Sequence, residues 1–256
     1  RINFLSLTIF LVAVASQMQT ARASNVFIGN ASERFVESTQ KKKLGLEAMT
    51  QLKVECVEAD QFSVDSRLRE LSNRLIHLFE ATGSFALGIQ TADALLACRA
   101  PEKAQKVLQE INPTTVVEQK AWSILFWQAS NALMDHSSAS LALRELSGGN
   151  LQKLDGEQIT VGFSVDGTPL MRLALDLLAE HERLDGRCET AAKVLFSGRR
   201  RGALGASRIS RGVQCLEGLS MEVRRDLLES ALVEANADKA WWLVGDILRL
   251  QLVLDL

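Results

Sequence analysis

Apolar residues recur at three- and four-residue spacing in short runs that helix breakers end, and this pattern constrains the fold most. Ser32 is placed to cap the first run, Gly83 ends the second, and Pro101 stands in the first turn of the fourth. Pro113 and the pair Gly148-Gly149 stop the runs before them. Because connections of a few residues place successive helices antiparallel, the pattern predicts an all-α fold of helical hairpins.

The composition fits such a fold, with 256 residues of which 47% are apolar and 23% charged. A formal net charge of -2 excludes a polycation that would bind nucleic acid. We expect N-terminal hairpins over 24–147, a connector over 148–168 and C-terminal hairpins over 169–256. The predicted helices cover 32–56, 64–81, 84–99, 101–111, 114–134, 137–147, 169–184, 187–197, 203–217, 220–236 and 238–254.

The first 23 residues follow the layout of a secretory signal peptide. Arg1 precedes an apolar run over 4–15, and Ala21 and Ala23 are the small residues that signal peptidase sites require before Ser24. The run is too short to span a bilayer core of about 30 Å. We therefore expect cleavage after Ala23 and a secreted or periplasmic protein with no stable membrane span. An uncleaved anchor or a buried core helix is the alternative.

An exported chain can oxidise its four cysteines, and four cysteines allow three full pairings. Cys56 and Cys98 stand near the C-terminal ends of the first and third predicted helices, which run parallel in a stack. Cys188 opens one predicted helix and Cys215 closes the next. This order favours the disulfides Cys56–Cys98 and Cys188–Cys215. Four buried thiols are the alternative.

Residues 148–168 break the helical pattern. Ile159, Val161, Phe163 and Val165 alternate with small or polar residues between two Asp-Gly turn signals, as in a strand. A single strand leaves backbone groups unpaired, so it would need residues 26–28 or another chain as its partner. A short helix or loop is the other possibility. We expect an irregular or short β connector here.

A segment in the second half of the chain resembles the tetratricopeptide repeat in the spacing of its small residues. Leu178 and Ala179 match the paired Leu and small residue of its first helix, Gly186 its turn, and Ala191 the small residue of its second helix. Glu182 stands where that family usually has an aromatic residue. The resemblance implies a right-handed solenoid of stacked hairpins rather than a closed bundle.

Two further copies extend the resemblance to about half of the chain. One runs from Ala92 to Ala104, and the other from Trp127 to Ala139. The step from Ala104 to Ala139 is 35 residues, close to the 34 of that family. The next step, to Ala191, is 52 residues, so the register is lost across the connector.

The sequence contains no motif of zinc proteases, α/β-hydrolases or phosphate-binding loops, so we expect no enzyme activity, cofactor or metal. His181, with Asp185 four residues later, is the strongest candidate for an activated histidine. A hydrolase that uses His181 is therefore a third possibility for the function. Helical spacing favours a solvated face of weak ion pairs instead, formed by Arg172, Asp176, Glu180 and Arg183.

Five arginines within 13 residues form a candidate anion-binding site: Arg199, Arg200, Arg201, Arg208 and Arg211. Guanidinium groups bind phosphates, sulfates and carboxylates through paired hydrogen bonds. No aromatic residue is interleaved, so stacking on nucleic-acid bases is not indicated. The cluster favours an anionic envelope polymer, a lipid headgroup or an acidic protein surface as its ligand. A solvated turn between two helices is the alternative.

The last predicted helix, 238–254, is apolar almost all round, and only Asp246, Arg249 and Gln251 interrupt it near the middle. One charge there costs about 2.5–3.5 kcal/mol in a bilayer, which argues against a membrane span. A helix without a polar face must be covered on both sides. We favour coverage by the fold itself over coverage by a partner. In the second case the partner contacts Trp241, Trp242 and Val253.

Together these patterns predict an exported helical-repeat module for protein–protein interaction or assembly in the cell envelope. Its partner would be another protein or a second copy, bound through the C-terminal helix. The alternative function is binding of an anionic envelope polymer or lipid headgroup by the arginines of 199–211. Nucleic acid is not expected as a partner.

Overall fold

A computed structural model describes residues 44–80, 84–198, 200–216 and 218–254. The expected signal peptide, the segment 26–28 and Arg199 lie outside these ranges. The described residues are mainly helical, as predicted. The helices are α1 (44–61), α2 (Asp65–Glu80), α3 (Phe85–Ala97), α4 (Pro101–Glu110), α5 (Val116–Ala132), α6 (His136–Ser147), α7 (Leu151–Leu154), α8 (Ala174–Leu184), α9 (Cys188–Ser197), α10 (Gly202–Gln214), α11 (Met221–Ala237) and α12 (Trp241–Leu254), and the strands are β1 (Gln158–Phe163) and β2 (Pro169–Leu173).

One turn geometry joins the two helices in five of the hairpins. A residue in the left-handed region, with φ between 54° and 78°, ends the first helix of each: Ser63, Arg99, Met134, Gly186 and Lys239. The N–H of the following residue donates to the carbonyl five residues earlier, as from Ala100 to Leu95 and from Arg187 to Glu182. This hydrogen bond defines the Schellman motif, which satisfies the last carbonyls of a helix.

The first three of these turns recur at nearly constant spacing along the chain. The first three turn residues, Ser63, Arg99 and Met134, are 36 and 35 residues apart. In three hairpins the residue five positions after the turn residue is a buried alanine: Ala104, Ala139 and Ala191. Because alanine lets two helix backbones approach closely, this spacing lets the second helix of the hairpin pack against its neighbours.

The connector is a short helix followed by a β-hairpin. β1 pairs antiparallel with β2, with Gln158 opposite Leu173 and Phe163 opposite Pro169. The prediction that 169–184 is one helix was wrong over its first five residues. The Asp166-Gly167 turn, in which Gly167 has φ 81°, folds residues 169–173 back on β1, and the strand thereby gains the partner that its backbone requires. α8 begins only at Ala174.

Helices pack mainly against those that are adjacent or next but one along the chain. Their buried apolar residues form two clusters. The larger cluster takes residues from α1 to α9, with Leu154 of α7 and Ile159 of β1 among them. The smaller cluster belongs to α10, α11 and α12. The last helix therefore stands at one end of the array, packed mainly against α11 and α10.

Two disulfides tie helix ends together. Cys56 of α1 is bonded to Cys98, which follows α3, and their Cα atoms are 4.8 Å apart. Cys188 at the start of α9 is bonded to Cys215 at the end of α10, with Cα atoms 4.9 Å apart. These are the pairs that the order of the predicted helices favoured. Each closes a loop that spans neighbouring hairpins.

Candidate functional site

The candidate site is the outer side of α12. The helix follows the Lys239 turn, in which the Ala240 N–H donates to the Ala235 carbonyl. Leu243 and Ile247, one turn apart, are buried against the smaller cluster. Leu250 and Leu254 continue this inner side and are half-buried. Among the residues that the structure describes, neighbours therefore cover only one side of this apolar helix.

The outer side of α12 leaves large apolar side chains in water. Trp241 is 66% exposed, Trp242 is 68% exposed and Val253 is 67% exposed. Leu248 and Leu252 are exposed beside them, although the sequence did not single them out. The described residues do not provide, on this side, the coverage by the fold itself that we favoured from the sequence. The helix stands at the end of the array, so no later hairpin covers it within the described chain.

The two tryptophans dominate this surface. A tryptophan buries about 150–250 Å² when covered, so the pair leaves roughly 200–300 Å² in contact with water. Removing that area from water would contribute roughly 5–8 kcal/mol before the entropic costs of association. Within the described ranges no helix combines the length and hydropathy needed to cross a membrane.

Most of the described arginines of this cluster form ion pairs with carboxylates of the same chain. Arg208, 1% exposed, donates to Asp155 at 2.5 Å and to Asp176 at 2.8 Å. Arg200 pairs with Asp155 at 2.9 Å, and Arg211 lies 3.4 Å from Asp176. These pairs join the segments before and after the β-hairpin to α10 and to Arg200 just before it. Arg201 is exposed.

The electrostatics of the ion pair between Arg208 and Asp155 keep both side chains charged. Burial lowers the pKa of Arg208, but hydrogen bonds to Asp176 and Asp155 outweigh it and raise the pKa. Burial likewise raises the pKa of Asp155, and Arg208 and Arg200 lower it by more. A side chain at Gly198 would collide with the Arg208 guanidinium, because the backbone at Gly198 passes directly beside this group. Three of the four described arginines therefore have internal carboxylates where an external anion would bind.

His181 lies in a chain of polar side chains inside the array. Trp127 Nε1 donates to His181 Nε2 at 2.9 Å, and His181 Nδ1 lies 3.1 Å from His136 Nδ1. Because Nε2 accepts, the neutral ring carries its proton on Nδ1 and donates it to His136. Burial lowers the pKa of His181, and His136 lowers it further. Asp185, the partner expected from the sequence, pairs with Arg187 instead.

Glu182 forms a second buried contact on α8. It is 1% exposed and accepts hydrogen bonds from Arg144 at 2.7 Å and from Arg187 at 2.5 Å. Burial raises its pKa, but Arg187 and Arg144 lower it by more, so the carboxylate stays ionised. These ion pairs thus link α8 to α6 and to the turn before α9.

The prediction of a solvated charged face on α8 was wrong for Asp176, which is buried against Arg208. Glu180 does pair with Arg172 near the surface, as that prediction had it. Both ring nitrogens of His181 are engaged, so this cluster links α5, α6 and α8. In the described ranges no three His, Cys, Asp or Glu residues are grouped to hold a metal ion.

The chain matches no protein-family model, no curated protein and no solved structure.

Proposed function

We propose that this protein is an exported helical-repeat module for protein–protein interaction or assembly in the cell envelope, and that it docks through the outer side of α12. The observation that carries the proposal is the joint exposure of Trp241, Trp242 and Val253 on the last helix. Soluble proteins rarely leave contiguous large apolar patches uncovered unless a partner binds there. Tryptophan is also the residue most enriched among energetically dominant interface positions.

The repeat architecture supports the same proposal. Five Schellman turns and contacts between neighbouring helices are what a right-handed, tetratricopeptide-like stack of hairpins would produce. The last helix of such a stack normally has a polar outer face, because nothing packs on it. An apolar outer face on α12 therefore supports a partner at that end of the array.

Two further features support export. The N-terminal 23 residues have the layout of a signal peptide. All four cysteines are in disulfides, which form and persist in oxidising compartments and are rare in the cytosol.

Site-specific photocrosslinking tests the docking surface. A photoreactive amino acid at position 252 of the full chain, produced in its native host, should give protein adducts because Leu252 lies on the outer side of α12. Position 116 is the matched control, because Val116 is also an exposed aliphatic helix residue but lies on α5. No adduct from position 252, or the same adducts from both positions, would contradict the proposal.

A second variant separates docking from folding. Trp242→Asp should remove the adducts from position 252, since a charge in the patch opposes its burial. It should leave circular dichroism and the melting temperature unchanged, because the indole is already in water. Loss of the fold in this variant would contradict the structural assignment of Trp242.

A further inference from the structure

The link between α9 and α10 exposes arginine side chains at a place where two helices end. α9 ends at Ser197 and α10 begins at Gly202. Arg200 and Arg201 lie between them, and both are exposed. Among the described residues, the Arg201 guanidinium has no carboxylate partner and the Arg201 N–H donates to no carbonyl. Exposed links that few backbone hydrogen bonds hold are the preferred places for proteolytic cleavage of a folded chain.

The backbone at Arg201 has the conformation that proteases bind. Arg201 is extended, with φ −107° and ψ 173°, and the acidic pocket of an arginine-specific endoprotease takes a guanidinium group. Gly202 follows with φ 72°, and glycine can leave that conformation easily because it has no Cβ. Arg200, by contrast, is held by Asp155 at 2.9 Å. The peptide bond after Arg201 is therefore the one that a protease can reach.

Two contacts join the chain across the bond after Arg201. The disulfide Cys188–Cys215 has one cysteine on each side of this bond. Arg208, which follows the bond, pairs with Asp176, which precedes it, at 2.8 Å. Both of these charged side chains are buried. A break in the chain here leaves a covalent link and a buried ion pair between the two pieces.

A carboxylate lies beside the residue that would become the new N-terminus. Asp238, which follows α11, accepts a hydrogen bond from the Ala203 N–H at 2.7 Å. A side chain at Gly202 would collide with this carboxylate, so Asp238 lies directly against the Gly202 backbone. An ammonium group on Gly202 would therefore form beside a negative charge. The positive end of the α10 dipole opposes a cation there, and the carboxylate offsets that repulsion.

We infer that Arg201 marks a processing site, at which an arginine-specific endoprotease hydrolyses the bond to Gly202 and leaves a folded two-chain molecule joined by Cys188–Cys215. One water is consumed: its oxygen makes the Arg201 carbonyl a carboxylate, and its two protons make the Gly202 nitrogen an ammonium near neutral pH. The inference goes beyond the proposed function, because it concerns the covalent state of the chain and not the occupant of α12.

Limited proteolysis tests where the chain is cut. The full chain, with both disulfides intact, is treated with a trace of trypsin. The first product should migrate as one species without reductant and as two after reduction, and N-terminal sequencing of the smaller piece should begin at Gly202. Arg201→Gln should slow the loss of the intact chain by about tenfold or more. Arg99→Gln is the matched control, because Arg99 is an exposed arginine in a hydrogen-bonded hairpin turn, and it should not change the rate.

A second measurement tests the ion pair at the new N-terminus. Asp238→Asn should lower the melting temperature by about 1–3 °C more in the cut protein than in the intact one, because only the cut protein has an ammonium beside this carboxylate. Glu229→Gln is the control, since Glu229 is an exposed carboxylate on α11 and should affect both forms equally. The circular dichroism spectrum should be the same before and after the cut.

Other outcomes overturn the inference. A first cut at any other bond does so, and so does a cut that abolishes the helical circular dichroism spectrum. Equal effects of Asp238→Asn on the cut and intact proteins exclude the ion pair at the new N-terminus. Mass spectrometry of reduced protein from the native host should find the piece that begins at Gly202. A chain that is continuous through this bond excludes processing, whereas crosslinking at position 252 decides the proposed function separately.

Discussion

Ionisable side chains on α8 owe their charge states to burial and to their neighbours. Glu182 is buried and stays ionised because Arg144 and Arg187 pair with it and lower its pKa. His181 is held neutral instead, because a buried ring next to a second imidazole is more stable without a charge, which lowers its pKa. Its tautomer is set by the Trp127 N–H, which a protonated Nε2 could no longer accept.

Stability should therefore fall as the pH is lowered from about 7 to about 5. The unfolded chain takes up a proton on His181 near an ordinary pKa of about 6.5, whereas the folded chain resists it because burial lowers the pKa. The stabilisation is fully present above the unfolded pKa and is lost as the pH falls toward the folded one. Urea unfolding across this range measures the change.

The matched variant is His181→Gln, which should reduce the slope of stability against pH. Groups that face the ring are His136, Glu180, Glu182 and Arg172. The two glutamates have lowered pKa values, so their own stabilising contributions are lost only below the ordinary value of 4.5. The same slope in His181→Gln as in the wild type would assign the pH dependence to other groups.

Among the elements, the hairpin turns show how one local geometry is built from different residues. Gly186 adopts the left-handed conformation without a Cβ clash. Ser63, Arg99, Met134 and Lys239 adopt it at a cost of about 1–2 kcal/mol each, since their Cβ atoms crowd the next carbonyl. The Schellman hydrogen bonds and the packing of the second helix offset that cost.

Met134→Gly should therefore stabilise the protein by about 0.5–1 kcal/mol, because relief of strain exceeds the added backbone entropy of the unfolded chain. Met134 is exposed, so the substitution removes little packing. Gly186→Ala should destabilise by about 1–2 kcal/mol. Thermal unfolding measures both changes. Met134→Ala is the control, and an equal gain in that variant would show that strain is not the cause.

Four of the five turns have no glycine that would mark them in the sequence. Only Gly186 marks its turn by residue type. The buried alanines, by contrast, could be found from spacing alone. Helix positions were predictable because apolar periodicity and breakers are local signals, and the observed bounds of most helices lie within a few residues of the predicted ones.

In the whole molecule, the two disulfides bridge the helix array at places far apart in the chain. Cys56–Cys98 encloses a sequence separation of 42 residues and Cys188–Cys215 one of 27. Both lie at helix ends beside the larger cluster, so they restrain the stacking of successive hairpins. Cross-links stabilise mainly by restricting the unfolded chain, and longer loops gain more.

Replacing both members of one pair should lower the free energy of unfolding by about 3–4 kcal/mol, slightly more for Cys56→Ala with Cys98→Ala than for the other pair. Urea unfolding measures the loss. Dithiothreitol should destabilise the wild-type chain and have no effect on a chain in which all four cysteines are replaced. Four thiols that react with iodoacetamide in the unreduced, unfolded chain would contradict the pairing.

The sequence by itself determined the helical class, the positions of most helices and the apolar character of the last one, because spacing and breakers act within a few residues. Tertiary structure decided which charges became internal, which strand completed the β-hairpin, and which side of α12 stayed in water. His136 and His181 are 45 residues apart, and Asp155 and Arg208 are 53 apart, yet each pair is in contact. Such contacts depend on how the hairpins stack, and that packing brings together side chains that no local pattern relates.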